Sequence, residues 1–190
     1  MYKTLLAASL LAALPYTANA SDSLSYTFVE AGYTYTDTDN ASADGVAIKG
    51  MAAVHPSVHL FADYSRQRVD EVDVDLDQWR AGIGYNHELS STTDLLLRAS
   101  WLGFRPQYGH DANGYALELG GRLWASRRWQ IEAVAGWEDY AEAGGVDPTG
   151  EFYGRLGALA QFNEYWGLSA QVRLGKQSSS EWFIGPRASW

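Results

Sequence analysis

Cysteine is absent from this 190-residue sequence, basic residues are scarce, and long apolar runs are missing. Without cysteine, disulfide bonds and thiolate metal sites are excluded. The 14 Lys and Arg face 23 Asp and Glu, a formal net charge of −9. Nucleic acid is therefore not an expected partner, because its phosphates require neutralising cations. No stretch is apolar for long enough to cross a membrane as a helix.

The first twenty residues, MYKTLLAASLLAALPYTANA, are typical of a secretory signal peptide. Lys3 is the basic start, residues 4–14 are the apolar stretch, and residues 18–20 (ANA) have the small residues of a cleavage site. The alternative is a buried amphipathic helix. We expect residues 1–20 to be removed and residues 21–190, starting at Ser21, to form one exported domain. Loss of Lys3 leaves 13 basic residues against 23 acidic ones and a net charge of −10.

The exported part alternates apolar residues with polar or small ones, a period of two that predicts β-strands. The last segment, residues 181–190 (EWFIGPRASW), has an apolar face that begins at Trp182 and ends at Trp190. These two residues are eight positions apart. At ~3.4 Å per residue and ~40° tilt they are roughly 20 Å apart in height, close to the ~25 Å apolar band of membrane barrels. Residues 129–137 repeat this Trp spacing.

Ten such segments can be counted, and most have Trp or Tyr at the ends of the apolar face. A soluble sheet with one wet face is the alternative, but it would bury an aromatic girdle that has no use in a core. The sequence therefore predicts an all-β fold, a transmembrane antiparallel up-and-down β-barrel of about ten strands. Connections near Pro56, Ser90, Arg127 and Glu164 are short to moderate. Those near residues 40, 72, 109 and 145 are acidic, Gly-containing or longer, which places both chain ends in the periplasm.

The opposite face of the strands carries charges that we expect to line the barrel interior. Residues that face each other in an antiparallel hairpin have a constant sum of positions. This predicts four cross-strand pairs: Lys49 with Asp63, Arg122 with Glu132, Glu30 with Lys49, and Asp63 with Arg80. Four arginines find no acid at a comparable height on a neighbouring strand, so some pairs are expected to cross the lumen: Arg98, Arg155, Arg173 and Arg187. The predicted network comprises Glu30, Lys49, Asp63, Arg80, Arg98, Glu118, Arg122, Glu132, Arg155, Arg173 and Arg187.

Residues for catalysis or metal binding are few. His110 and Asp111 are adjacent at a predicted loop rim, and the alternative to a solvated loop is an outer-membrane lipid-modifying enzyme. The acidic segment 69–77 (VDEVDVDLD) places Asp73, Asp75 and Asp77 on one side of an extended chain. Oxygen ligands suit divalent cations, but a solvated acidic hairpin tip is the expected state. We predict no catalytic residue, no cofactor and no dedicated metal site.

The carboxy terminus also resembles the signal that outer-membrane barrels present to their assembly machinery. Gly185, Ala188 and Trp190 fit that pattern, whereas Phe183 stands where a polar residue is usual. The expected partners of this chain are accordingly outer-membrane lipids and the barrel assembly machinery.

Several blocks of sequence resemble one family along the whole chain. The most specific are residues 150–157 (GEFYGRLG) and 181–187 (EWFIGPR), joined by residues 24–39 (LSYTFVEAGYTYTDTD). The chain is similar to the small xanthomonad outer-membrane barrels whose members were proposed as a secreted quorum factor and as an activator of plant immunity. The resemblance implies an outer-membrane location and no catalytic residues. We expect a structural or interaction role at the cell surface, with a secreted signalling protein as the alternative.

Overall fold

A computed structural model of the chain describes residues 24–39, 41–70, 74–108, 110–141, 150–175 and 179–190. Its ten strands follow one another along the chain: β1 (Phe28–Thr38), β2 (Ala41–His55), β3 (Val58–Val69), β4 (Val74–Ser90), β5 (Thr93–Pro106), β6 (Ala112–Ser126), β7 (Trp129–Tyr140), β8 (Glu151–Gln161), β9 (Trp166–Leu174) and β10 (Ser180–Ser189). No helix in these described ranges is long and apolar enough to cross a membrane. The predicted signal peptide and its cleavage before Ser21 lie outside the described residues.

The strands form a closed barrel in which each strand pairs antiparallel with its neighbours in sequence. β1 closes the ring by pairing with β10, where Phe28 faces Ser189 and Tyr33 faces Ile184. Gly32 and Gly185 permit close contact at this seam, since a Cβ on Gly32 would lie 2.7 Å from the Cα of Gly185. The predicted fold class and strand number are confirmed.

The two ends of the barrel differ in their connections. At the end that we call the turn end, residues 56–57, 91–92 and 127–128 form two-residue turns, and residues 162–165 connect β8 to β9. The pairing register shifts just before each of the three tight turns. Both β1 and β10 have their outer termini at this end. At the opposite loop end, only residues 39–40 separate β1 from β2, whereas residues 141–150 separate β7 from β8. The predicted loop centres 40, 72, 109 and 145 lie outside the described residues.

Apolar side chains cover the outward face of the barrel, as the alternation predicts. Aromatic residues form two belts around it. The loop-end belt includes Tyr64, Trp101, Tyr115 and Trp182, and the turn-end belt includes Tyr85, Trp129, Tyr165 and Trp166. Exposed aliphatic residues lie between the belts, among them Leu60, Ile83, Leu97, Leu119, Ile131 and Leu156. A protein in water would bury such a surface, so this face requires an apolar environment around it.

Candidate functional site in the barrel interior

Glu118 of β6 is the centre of the charged interior. Its side chain is 3% exposed and receives three guanidinium groups. The Oε1 atom lies 2.8 Å from Arg80, and Oε2 lies 2.7 Å from Arg155 and 3.7 Å from Arg98. The Tyr153 hydroxyl donates a further hydrogen bond to Oε1 at 2.7 Å. This buried carboxylate is therefore fully partnered, which a charge removed from water requires.

Glu132 of β7 forms the second centre, closer to the turn end. Arg98 approaches it with both terminal nitrogens, at 2.9 and 3.2 Å, a bidentate arrangement. Arg122 donates to Oε2 through Nε and Nη2, at 2.9 and 2.6 Å. Arg155 lies 3.5 Å from the same carboxylate. Arg98 and Arg155 thus bridge Glu118 and Glu132 into one network that joins strands β4 to β8.

Two smaller groups flank this network. Towards the loop end, Glu138 is held by Arg173 and lies 3.7 Å from Arg80. At the seam, Arg187 of β10 reaches Glu30 of β1 at 2.5 Å. The seam is therefore closed by an ion pair as well as by its backbone ladder.

Three of the four predicted cross-strand ion pairs are wrong. The register does place Lys49 opposite both Glu30 and Asp63, and Asp63 opposite Arg80. Only Arg122 and Glu132 form a salt bridge, at 2.6 Å. The Lys49 ammonium crosses the lumen instead, where it donates to Gln171 at 2.5 Å and lies 4.0 Å from the Phe183 ring centre. In a narrow barrel, long side chains can choose partners across the bore, so register alone does not determine the pair.

The prediction is also wrong for Arg98, Arg173 and Arg187, which do face an acid on a neighbouring strand although none was expected. The register places Arg98 opposite Glu118, Arg173 opposite Glu181, and Arg187 opposite Glu30. The last pair exists only because β10 closes onto β1. The residue facing Arg155 on β9 is another arginine, Arg173, yet the Arg155 guanidinium still lies 3.5 Å from Glu132 of the neighbouring β7.

Interior aromatic rings lie over glycines of the neighbouring strand. His59 faces Gly84, Phe61 faces Gly82, and Tyr153 faces Gly136 in the register. A Cβ on Gly84 would lie 2.1 Å from the His59 ring, and one on Gly136 would lie 2.3 Å from the Tyr153 ring. These glycines therefore make room for rings and do not leave open volume, contrary to what their small size suggests.

Residues 24–27, ahead of β1, enter the turn end of the barrel and were not predicted to do so. Tyr26 stacks on His59 with ring centres 4.8 Å apart and donates a 2.6 Å hydrogen bond to Asp94. The Arg122 guanidinium lies 4.7 Å from the Tyr26 ring centre and donates to the Ser25 carbonyl at 3.2 Å. Burial raises the pKa of the Tyr26 hydroxyl, which keeps it protonated as a donor. The alternating Leu24, Tyr26 and Phe28 were the available sequence signal.

Side chains around Tyr26 complete the closure. Leu24, Tyr26 and Leu96 form a buried apolar cluster against which Met51 and Trp124 pack. His59 is 0% exposed. Its Nε2 lies 3.4 Å from the Arg98 Nε, and its Nδ1 lies 3.4 Å from the Asn86 Oδ1. Because Arg98 can only donate, Nε2 is the acceptor and the ring proton is on Nδ1.

Small cavities lie among the described residues inside the barrel, and two of them are stacked along its axis. One of about 70 Å³ lies towards the turn end and is lined by Glu30, Gln130 and Arg187 among others. The other, of about 80 Å³, lies towards the loop end and includes Gln78, Tyr140 and Glu181 in its lining. Four side chains line both cavities: Lys49, Asp63, Arg155 and Gln171. These four residues therefore lie between the two chambers.

Most contacts of the predicted rim residues are exposed ion pairs and hydrogen bonds. Asp111 pairs with Arg105 at 3.2 Å, and both side chains are exposed. In the acidic segment, Asp75 pairs with Arg66 at 2.5 Å and with Arg68 at 3.1 Å. Asp77 accepts a hydrogen bond from Tyr64 at 2.8 Å, while Asp73 lies outside the described residues. The described residues contain no group of three or more His, Asp or Glu that could hold a metal ion.

The residues of the predicted assembly signal lie along β10 and just beyond it. Gly185 is buried at the seam and Ala188 is half-buried. The Trp190 amide donates to the Thr27 carbonyl at 3.2 Å, which ties the carboxy terminus to the residue before β1.

Comparison with solved structures identifies similar barrels. One is the KdgM porin in complex with disordered oligogalacturonate, with 7% identity, a TM-score of 0.48, and coverage of 86% of this chain and 99% of that one. Neisserial surface protein A (NspA) has 14% identity, a TM-score of 0.47, and coverage of 87% and 98%. The translocator domain of the autotransporter NalP from Neisseria meningitidis has 13% identity, a TM-score of 0.48, and coverage of 98% and 95%.

No protein-family model and no curated protein matches the sequence. The resemblance to the xanthomonad family therefore stays a prediction. With TM-scores of at most 0.48, no property of the three similar barrels transfers to this chain. The class of protein follows from the molecule itself, a closed ten-stranded antiparallel β-barrel with an apolar outward face and a charged inward one.

Proposed function

We propose that this protein is an integral outer-membrane β-barrel, exported through residues 1–20, with a structural or interaction role at the cell surface and no catalytic activity. The proposal rests on the distribution of side chains, which is the reverse of that in a protein folded in water: apolar residues lie outside and charged residues lie inside. Exposed side chains such as Leu119 and Ile184 cover the outside, while Glu118, Arg98 and Arg122 are buried inside. A lipid environment is the solvent in which this distribution is stable.

The interior supports a closed barrel in preference to an open pore. The ionic network joins neighbouring strands and also crosses the bore, for example from Arg80 on β4 to Glu118 on β6. Residues 24–27 block the turn end through contacts with His59, Asp94 and Arg122. Such bracing gives a rigid platform for the connections at the loop end. Outer-membrane lipids and the barrel assembly machinery are the partners that this proposal requires.

Fractionation of cells that express the full chain tests the location. The protein should be recovered from the outer membrane only with detergent, and it should migrate faster in SDS gels when unheated, because a closed barrel resists SDS. A protein that is soluble without detergent and insensitive to heating would contradict the proposal. That outcome would favour the alternative of a secreted signalling protein.

Assays for lipase, acyltransferase and protease activity on the purified, heat-modifiable protein test the non-catalytic part. We expect activities equal to those of a His110→Ala variant. An activity that the wild type has and that the folded His110→Ala variant lacks would establish an enzyme instead.

A further inference from the structure

Residues 24–26 turn from the wall into the bore, whereas Thr27 still bonds to the wall, where its carbonyl accepts from the Trp190 amide at 3.2 Å. In a ring of ten strands joined in sequence order, β1 lies opposite β6. Tyr26, just ahead of β1, nevertheless contacts Asp94 of β5 and Arg122 of β6. The segment therefore reaches into the turn end towards the far side of the bore.

The two interior chambers lie beyond this segment, one after the other along the barrel. They share Lys49, Asp63, Arg155 and Gln171 in their linings, so the chambers meet at these side chains. With volumes of about 70 and 80 Å³, each has room for roughly five waters. Chambers of this volume suit water and small ions.

Positive charge is only slightly in excess along this route, since Glu118 and Glu138 pair with four of its arginines, Arg80, Arg98, Arg155 and Arg173. The turn-end chamber is lined by five cations, Lys49, Arg98, Arg122, Arg155 and Arg187, and by three acids, Glu30, Asp63 and Glu132. The loop-end chamber is lined by four cations, Lys49, Arg80, Arg155 and Arg173, and by two acids, Asp63 and Glu181. Pores lined by Lys and Arg favour anions.

We propose that residues 24–27 are a stopper that closes a narrow conduit for small inorganic anions, and that displacement of Tyr26 opens it. This inference rests on the proposed membrane insertion and adds an activity to it. The stopper is held by non-covalent contacts that a local movement can break. They are hydrogen bonds to Asp94 and from Arg122, a ring stack on His59, the cation of Arg122 over the Tyr26 ring, and the packing of Leu24 and Tyr26 against Leu96. The walls of the conduit are β-strands of the closed barrel, and their backbone hydrogen bonds stay in place when Tyr26 moves.

Planar-bilayer recordings under a KCl gradient test the proposal with full-length exported protein. The wild type should be silent, and Tyr26→Ala should produce discrete openings whose reversal potential lies towards that of chloride. Glu164→Ala is the matched control, because its side chain is exposed in the connection between β8 and β9 at the same end and lies outside the segment. It should be as silent as the wild type. Adding Lys49→Gln to Tyr26→Ala should shift the reversal potential towards zero.

The proposal is overturned if Tyr26→Ala produces no conductance in a sample that is inserted and heat-modifiable. Openings of the same size in the wild type, or openings that select cations, would overturn it as well. If Tyr26→Ala does not fold, Tyr26→Phe decides, since it removes only the hydrogen bond to Asp94. Brief openings of that variant support the proposal, and silence of the folded variant overturns it. Failure of the wild type to insert would instead contradict the proposed function, so the two failures are distinguishable.

Discussion

Neighbouring residues of β6 show how differently the two faces of the wall are stabilised. Leu117 and Leu119 point outward and are 51% and 56% exposed, while Glu118 between them is 3% exposed. The leucines need only an apolar environment, so their neighbours on that face can be any apolar residues. Glu118 needs Arg80, Arg98 and Arg155 at particular places. The outward face is therefore specified by composition, and the inward face by individual partners.

Removal of Glu118 should have the largest effect, because the variant Glu118→Ala leaves three guanidinium groups and the Tyr153 hydroxyl without this acceptor. Breaking a buried ion pair from one side costs about 3–5 kcal/mol. Denaturant unfolding of the lipid-inserted protein measures the free energy of unfolding. Glu164→Ala, in an exposed connection at the turn end, is the control and should change little. Equal losses in both variants would mean that the interior network does not stabilise the barrel.

A charge on the outward face should rank second. Leu119→Arg or Ala133→Arg should lower the free energy of unfolding by about 2–4 kcal/mol if these positions lie near the bilayer midplane. Gln130→Asn on the inward face of β7 should be mild, because asparagine keeps an amide in the polar interior, where the buried Gln130 side chain lies 3.4 Å from Arg187. The same unfolding measurement applies in vesicles. A similar sensitivity at residues 130 and 133 would remove the distinction between the faces.

Overpacking of the interior should rank third. Gly136→Ala would place a Cβ 2.3 Å from the Tyr153 ring, and forced overpacking costs roughly 1–3 kcal/mol. The displaced ring would also withdraw the hydroxyl from Glu118. Gly154→Ala on β8 is the matched control, because nothing lies within 4 Å of its added Cβ. Equal free energies of unfolding for Gly136→Ala and Gly154→Ala would contradict the close packing of Tyr153 on Gly136.

Much of the wall was predictable because strand periodicity is a local property. The alternation around Trp129 and Trp182 gave the correct outward face, and the even count of segments gave the closed barrel. The Arg122 and Glu132 pair was predictable for the same reason, since the two residues flank one tight turn.

Partners inside the bore were less predictable, because they depend on closure and on side-chain reach. Arg187 meets Glu30 only through the seam between the first and last strands. Lys49 faces Asp63 in the register but donates its hydrogen bond to Gln171 across the lumen. The entry of Tyr26 into the bore has no periodic signature beyond one more alternating aromatic residue. Contacts between distant parts of the chain decide these features.

The smallest effect is expected outside the apolar band, where the ion pairs are exposed. Asp75→Asn removes the acceptor of Arg66 and Arg68, whose side chains are 56% and 62% exposed. Exposed pairs are screened by solvent and contribute little, so the free energy of unfolding should hardly change. A loss comparable to that of Glu118→Ala would show that burial is not what distinguishes the two kinds of pair.

The central claim is that one face of every strand meets lipid and the other a closed interior. Because the chain has no cysteine, single cysteines from residue 130 to residue 137 of β7 can each carry a spin label without background labelling. Lipid-dissolved oxygen should collide most with labels at Ile131, Ala133 and Ala135, and least with those at Gln130 and Val134. A profile without this period of two, or one with its maxima at residues 130 and 134, would contradict the account.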